Sequence, residues 1–108
     1  MDRRAEARDA AAAGRARAIV ARLPDAIAEA RSTFGPIDVW LFGSLTGLGA
    51  PPHLASDVDI AVRGLPPARV FECAAQLADA LGADVDIVML ETAPEALRER
   101  VRVDGVAL

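Results

Sequence analysis

One six-residue stretch, Asp57-Val58-Asp59-Ile60-Ala61-Val62, constrains this chain more than any other. Val58, Ile60 and Val62 occupy every second position, the period of a strand with one face buried. That period puts Asp57 and Asp59 together on the opposite face, about 7 Å apart along the strand. Aspartate is a poor strand former, so two on one face invite a chemical explanation beside the simpler one of a solvated face.

Further strands are legible on either side. Ile37 to Phe42 is short, mostly apolar and bounded by Gly35-Pro36 and Gly43, which predicts a strand covered on both faces with Trp40 in the core. Asp84 to Leu90 predicts a third strand. Residues 43–56 hold Gly43, Gly47, Gly49, Pro51 and Pro52 and read mostly as loop. Helical spacing recurs in Val70, Ala74, Leu77, Ala78 and Leu81, between Pro66-Pro67 and Gly82, and Cys73 on the same face reads as a buried, inert thiol. Thr92 and Glu95 have the spacing of a capping box for a last helix with Leu97 and Val101 on its inner face. Asp104-Gly105 then turns the chain into a short tail, Val106-Ala107-Leu108.

At the other end, residues 3–22 are rich in alanine and arginine and predict a helix with a thin apolar face. Pro24 is expected to open a second helix carrying Leu23, Ile27, Ala30 and Phe34. The expected architecture is a small α/β (α+β) domain, a mixed sheet of three to four strands flanked by helices. Residues 1–22 form an N-terminal helix and residues 23–108 the domain proper.

Composition excludes several function classes. With 53% apolar residues the chain is globular. Its net charge of −4, with arginine as the sole cation, opposes binding to a long nucleic acid, which needs a basic face. Residues 1–22 nonetheless carry six arginines against three carboxylates, a basic segment able to dock on an acidic surface. No apolar run is long enough to span a membrane. The start, Met1-Asp2-Arg3-Arg4, lacks a signal peptide's apolar stretch, and one cysteine suits a reducing cytoplasm. The thin apolar helix faces suggest a homodimer or a complex with a partner.

The chemistry concentrates at three places. If the third strand lies beside the second, Asp86 joins Asp57 and Asp59 on one face; Asp84 shares its parity, but Asp86 directly precedes the apolar run Ile87-Val88-Met89-Leu90. Three carboxylates near apolar strands need a balancing cation, and an oxygen-only set selects Mg²⁺ or Mn²⁺. Two such ions about 3.5–4 Å apart would suit phosphoryl transfer. Gly43 at a strand end lets backbone approach a ligand closely, and Ser44 begins a turn whose hydroxyl and N–H groups can hold phosphate oxygens.

Phe42-Gly43-Ser44, then Ser56-Asp57-Val58-Asp59-Ile60, then Val85-Asp86-Ile87-Val88, resemble in order and context the minimal nucleotidyltransferases (MNT) of the DNA polymerase β-like superfamily. The likeness runs from about Leu23 to Leu108. It implies that Asp57 and Asp59 ligate two Mg²⁺ ions, that Asp86 ligates one and draws the proton from an attacking hydroxyl, and that Gly43 and Ser44 contact the β- and γ-phosphates of ATP. The implied reaction transfers AMP from a nucleoside triphosphate to an acceptor and releases pyrophosphate. The resemblance further implies an antitoxin that adds AMP to a small helical HEPN-type toxin. A catalytically weakened antitoxin that neutralises its partner by contact alone is the alternative, and a small-molecule transferase a third.

This sequence departs from the family in two ways. The loop from Leu45 to Ser56 is longer than usual, and Leu45 and Gly47 stand where arginines are frequent. With no Lys or Arg between Arg31 and Arg63, a triphosphate would rely on metals, backbone N–H groups and Arg63 for charge balance.

Overall fold

The computed structural model describes residues 3–43 and 58–108, and the side chains of its first helix from residue 10 onward except residue 12. The first element, α1, is one continuous helix from Arg3 to Phe34, with Pro24 inside it. The expected division into two helices is therefore wrong, and the reason is packing. Ile19, Leu23, Ala26, Ile27, Ala30 and Phe34 are all buried and form a single stripe on both sides of the proline. Pro24 faces solvent, where water can satisfy the Val20 carbonyl that its missing N–H leaves without a donor. Before Ile19, no described side chain of α1 is buried.

An interior proline costs a helix about 3 kcal/mol relative to alanine. Pro24→Ala is therefore expected to raise Tm by at least about 4 °C, measured by thermal circular dichroism. An unchanged Tm would mean that the two halves of α1 do not fold as one unit.

Strands β1 (Asp38–Phe42), β2 (Val58–Arg63), β3 (Val85–Met89) and β4 (Val106–Ala107) form one sheet in the order β3-β2-β1-β4. β1 is antiparallel to β2 and to β4, whereas β2 and β3 run parallel. The parallel pair requires a crossover, supplied by a 3₁₀ turn at Pro67–Arg69 and helix α2 (Val70–Leu81). α2 buries Cys73, Leu77 and Leu81, and the thiol pKa is pushed up mainly by burial, as expected of an inert core cysteine.

The sheet has two unlike faces. Val39, Leu41, Val58, Ile60 and Val62 pack with the α1 stripe and with Leu77 and Leu81 of α2 in the main core. The other face carries a smaller cluster of Phe42, Ala61 and Val101, with Trp40, Val88, Leu90 and Leu97 packed around it. Trp40 is thus half-covered and outside the main core, with the Arg63 guanidinium 5.4 Å from its ring centroid.

Helix α3 (Glu95–Asp104) supplies Leu97 and Val101 to that second cluster. Its N-cap is Pro94, with no side-chain cap, so the Thr92–Glu95 capping box does not form. Proline disfavours helical backbone in the residue before it, here Ala93, and the helix starts after Pro94 instead. At the far end Gly105 lets the chain leave α3: a Cβ there would lie 2.3 Å from the Val101 carbonyl oxygen. The expected tail becomes β4, an edge strand. Leu108 N–H donates to Val39 O (2.9 Å), and Arg31 bridges Ile37 O (3.1 Å) and Leu108 O (2.8 Å). No helix among the described residues is long and apolar enough to cross a membrane.

Candidate functional site

Strand register builds the site. Phe42 of β1 pairs with Asp59 of β2, and Asp59 pairs with Asp86 of β3, a row across three neighbouring strands. Because β2 and β3 are parallel and in register, both carboxylates leave the same face, from backbones about 5 Å apart. Asp84 lies before β3, where its carbonyl accepts the Val58 N–H (3.0 Å), so Asp86 is the residue aligned with Asp59.

Gly43 follows Phe42 and closes over Asp59. Its φ is +80°, and a Cβ added there would sit 2.3 Å from Asp59 Oδ2 and 3.1 Å from its Cγ. A side chain there would have to push the Asp59 carboxylate aside. Glycine is required here twice over, by backbone conformation and by contact with the carboxylate.

Asp59 is half-buried and its pKa is raised, first by burial and then by the negative charge of Asp86, with Arg100 pulling the other way. Arg100 is the functional candidate that the sequence did not reveal. It stands one residue before Val101 and three after Leu97, on the flank of the buried face of α3, and that spacing was the available signal. Arg63, the expected cation, lies at the opposite end of β2. It pairs with Asp38 (2.9 Å) and covers Trp40, so its charge is not directed at the carboxylates.

Ser44, Leu45, Gly47, His53 and Asp57 lie outside the described residues. Among the described residues no group of three or more His, Cys, Asp or Glu is gathered for a metal. What the described part offers is a pair of hard oxygen donors, one of them destabilised as an anion first by burial and then by its neighbour. That donor chemistry fits a divalent cation such as Mg²⁺, which would relieve the repulsion.

The raised pKa gives a signed test. A carboxyl whose folded pKa exceeds its unfolded value adds stability at low pH and loses it as pH rises through the folded pKa. Asp59→Asn is therefore expected to raise the Tm of metal-free protein by about 2 °C at pH 8, a gain that vanishes toward pH 3. With Mg²⁺ the order is expected to reverse, the wild type gaining Tm while the variant does not. Equal melting in EDTA at pH 8 would contradict an Asp59 anion destabilised by burial and by Asp86.

Comparison with known proteins agrees with this geometry. The family model described as polymerase beta, nucleotidyltransferase, matches residues 26–108. No curated protein matches the chain. Among solved structures, a Tyr-to-Ala variant of the toxin–antitoxin pair MntA–HpeT aligns with TM-score 0.63 at 32% identity, covering 79% of this chain and 70% of that one. A toxin–antitoxin structure with AMP-PNP gives TM-score 0.62 at 32% identity, covering 77% and 69%. The complex of tri-AMPylated Shewanella oneidensis HEPN toxin with MNT antitoxin gives 0.53 at 28%, covering 89% and 70%. The aligned strands, the Asp59–Asp86 pair and the family match leave one assignment: the chain belongs to the polymerase β nucleotidyltransferase family, in its minimal, MNT form.

Proposed function

We propose that the protein is a Mg²⁺-dependent nucleotidyltransferase that moves AMP from ATP to a hydroxyl of a HEPN-type partner protein, and so acts as an antitoxin in the cytoplasm. The observation that carries this reading is the row of Asp59 and Asp86 beneath Gly43, a paired-carboxylate site with backbone closed over it. The solved relatives support the nucleotide and the partner: one holds AMP-PNP, and another is a complex containing an AMPylated HEPN toxin.

In this reading Asp57, Asp59 and Asp86 would hold the metal, which would supply Lewis-acid polarisation of the phosphoryl group and charge for the leaving pyrophosphate. Asp86, the more exposed member of the described pair, accepts the proton of the acceptor hydroxyl. The hydroxyl oxygen bonds to the α-phosphorus as the bond from that phosphorus to the pyrophosphate oxygen breaks. Gly43 and Ser44 cradle the β- and γ-phosphates, and Arg100 adds the cation that the loop lacks. The part of α1 before Ile19, which buries none of its described side chains, is assigned to the partner or to a second copy.

The alternative, neutralisation by contact alone, draws on the absence of any Lys or Arg between Arg31 and Arg63. Co-expression with the HEPN-type partner separates the two. The enzyme reading expects growth to be rescued by the wild type and not by Asp59→Asn. Full rescue by Asp59→Asn would establish contact alone.

A further inference from the structure

Among the described residues β3 is the end strand of the sheet, and its outer edge has the form that receives another strand. Asp84 O and Leu90 N–H bond to β2, so by alternation the backbone groups of Val85, Ile87 and Met89 point away from it. Beside this edge runs a cleft of about 390 Å³, lined by Phe71 and Ala74 of α2 and by Val85, Asp86, Ile87 and Met89. Phe71 is 87% exposed, an unusual position for a phenylalanine unless something covers it.

Charge selects the occupant. Between Arg69 and Arg98 the chain has no basic residue but six exposed carboxylates: Glu72, which Arg69 pairs, Glu91, which accepts the Gly64 N–H, and Asp79, Asp84, Asp86 and Glu95, of which Asp86 lines the cleft. A second copy pairing edge to edge would bring these like charges together. A basic polypeptide would neutralise them.

Resting on the transfer reading above, we infer that the acceptor is an extended basic segment of the partner protein, added to the sheet as a strand beside β3. Its register follows from the row Phe42, Asp59, Asp86. The next position in that row belongs to the added strand, and a hydroxyl residue there leaves the same face as Asp86, about 5 Å from its backbone. The residues on either side of the hydroxyl point the other way, into the cleft beside Phe71, and should be apolar. Those two places away return to the carboxylate face and should be basic. One surface then accounts for the open edge, the exposed phenylalanine and the acidic run, and it ends at the reacting group.

The test uses a fluorescein-labelled nine-residue peptide of alternating arginine and valine with a central tyrosine, valines flanking the tyrosine, and a control with glutamate replacing arginine. Binding to the full chain is read by anisotropy, so the result does not depend on turnover. The arginine peptide should bind, the glutamate peptide should not, and Phe71→Glu should weaken binding at least about tenfold. Fluorescent ATP analogue binding should be unchanged in Phe71→Glu, which shows that this variant folds. Equal binding of both peptides, or binding indifferent to Phe71→Glu, overturns the inference. So does a self-associating chain that loses its dimer in Phe71→Glu and binds no peptide. Binding as expected without AMP transfer to peptide or partner would support the strand site and overturn the transferase reading instead.

Discussion

Gly43→Ala is expected to abolish activity and to destabilise the fold, more than a methyl group ordinarily could. The φ of +80° costs an L-residue about 1–2 kcal/mol, and the new Cβ would press on Asp59 Oδ2 at 2.3 Å. The β1–β2 ladder holds both backbones, so the contact is relieved by turning the Asp59 carboxylate away from its place beside Gly43, which costs the site its geometry. Tm should fall by about 4–8 °C for each kcal/mol lost. A double-mutant cycle isolates the contact: in an Asp59→Ala background the carboxylate is gone, and Gly43→Ala should cost measurably less. Equal costs in both backgrounds would show that the glycine serves backbone conformation alone.

Asp59→Asn should have the opposite signature, keeping the fold and losing the chemistry. The substitution preserves shape but removes the charge that a divalent cation requires, and metal-assisted phosphoryl transfer depends on that charge for several kcal/mol. Transfer to the partner should fall about a thousandfold, equivalent to about 4 kcal/mol. The metal-free protein should meanwhile melt no lower than the wild type, because Asp59 is strained as an anion by burial and by Asp86. An activity loss accompanied by a collapse in Tm would assign Asp59 to structure.

Much of this site was legible because strands encode faces directly. The alternation of Val58, Ile60 and Val62 set Asp59 on the face away from the main core, and the apolar run after Asp86 marked it over Asp84. What escaped depends on contacts distant in sequence. The closure of Gly43 over Asp59 is a relation between two strands that neither segment announces alone. Arg100 comes close enough to favour the Asp59 anion because α3 packs across that face through Leu97 and Val101. The same cause explains α1: Pro24 is a local signal to start a helix, overridden by a stripe from Ile19 to Phe34 that the sheet buries as one. β4 was read as a tail because two residues carry too little pattern, and it is β1 and Arg31 that fix them.

AMP transfer to a partner protein at the row of Asp59 and Asp86 is the proposal on which the function rests. Intact-mass spectrometry of the HEPN-type partner, after incubation with this protein, ATP and Mg²⁺, tests it most directly. A gain of one or more AMP masses on hydroxyl side chains is expected with the wild type and none with Asp59→Asn. An unmodified partner whose toxicity is nonetheless neutralised, or equal modification by Asp59→Asn, would contradict it.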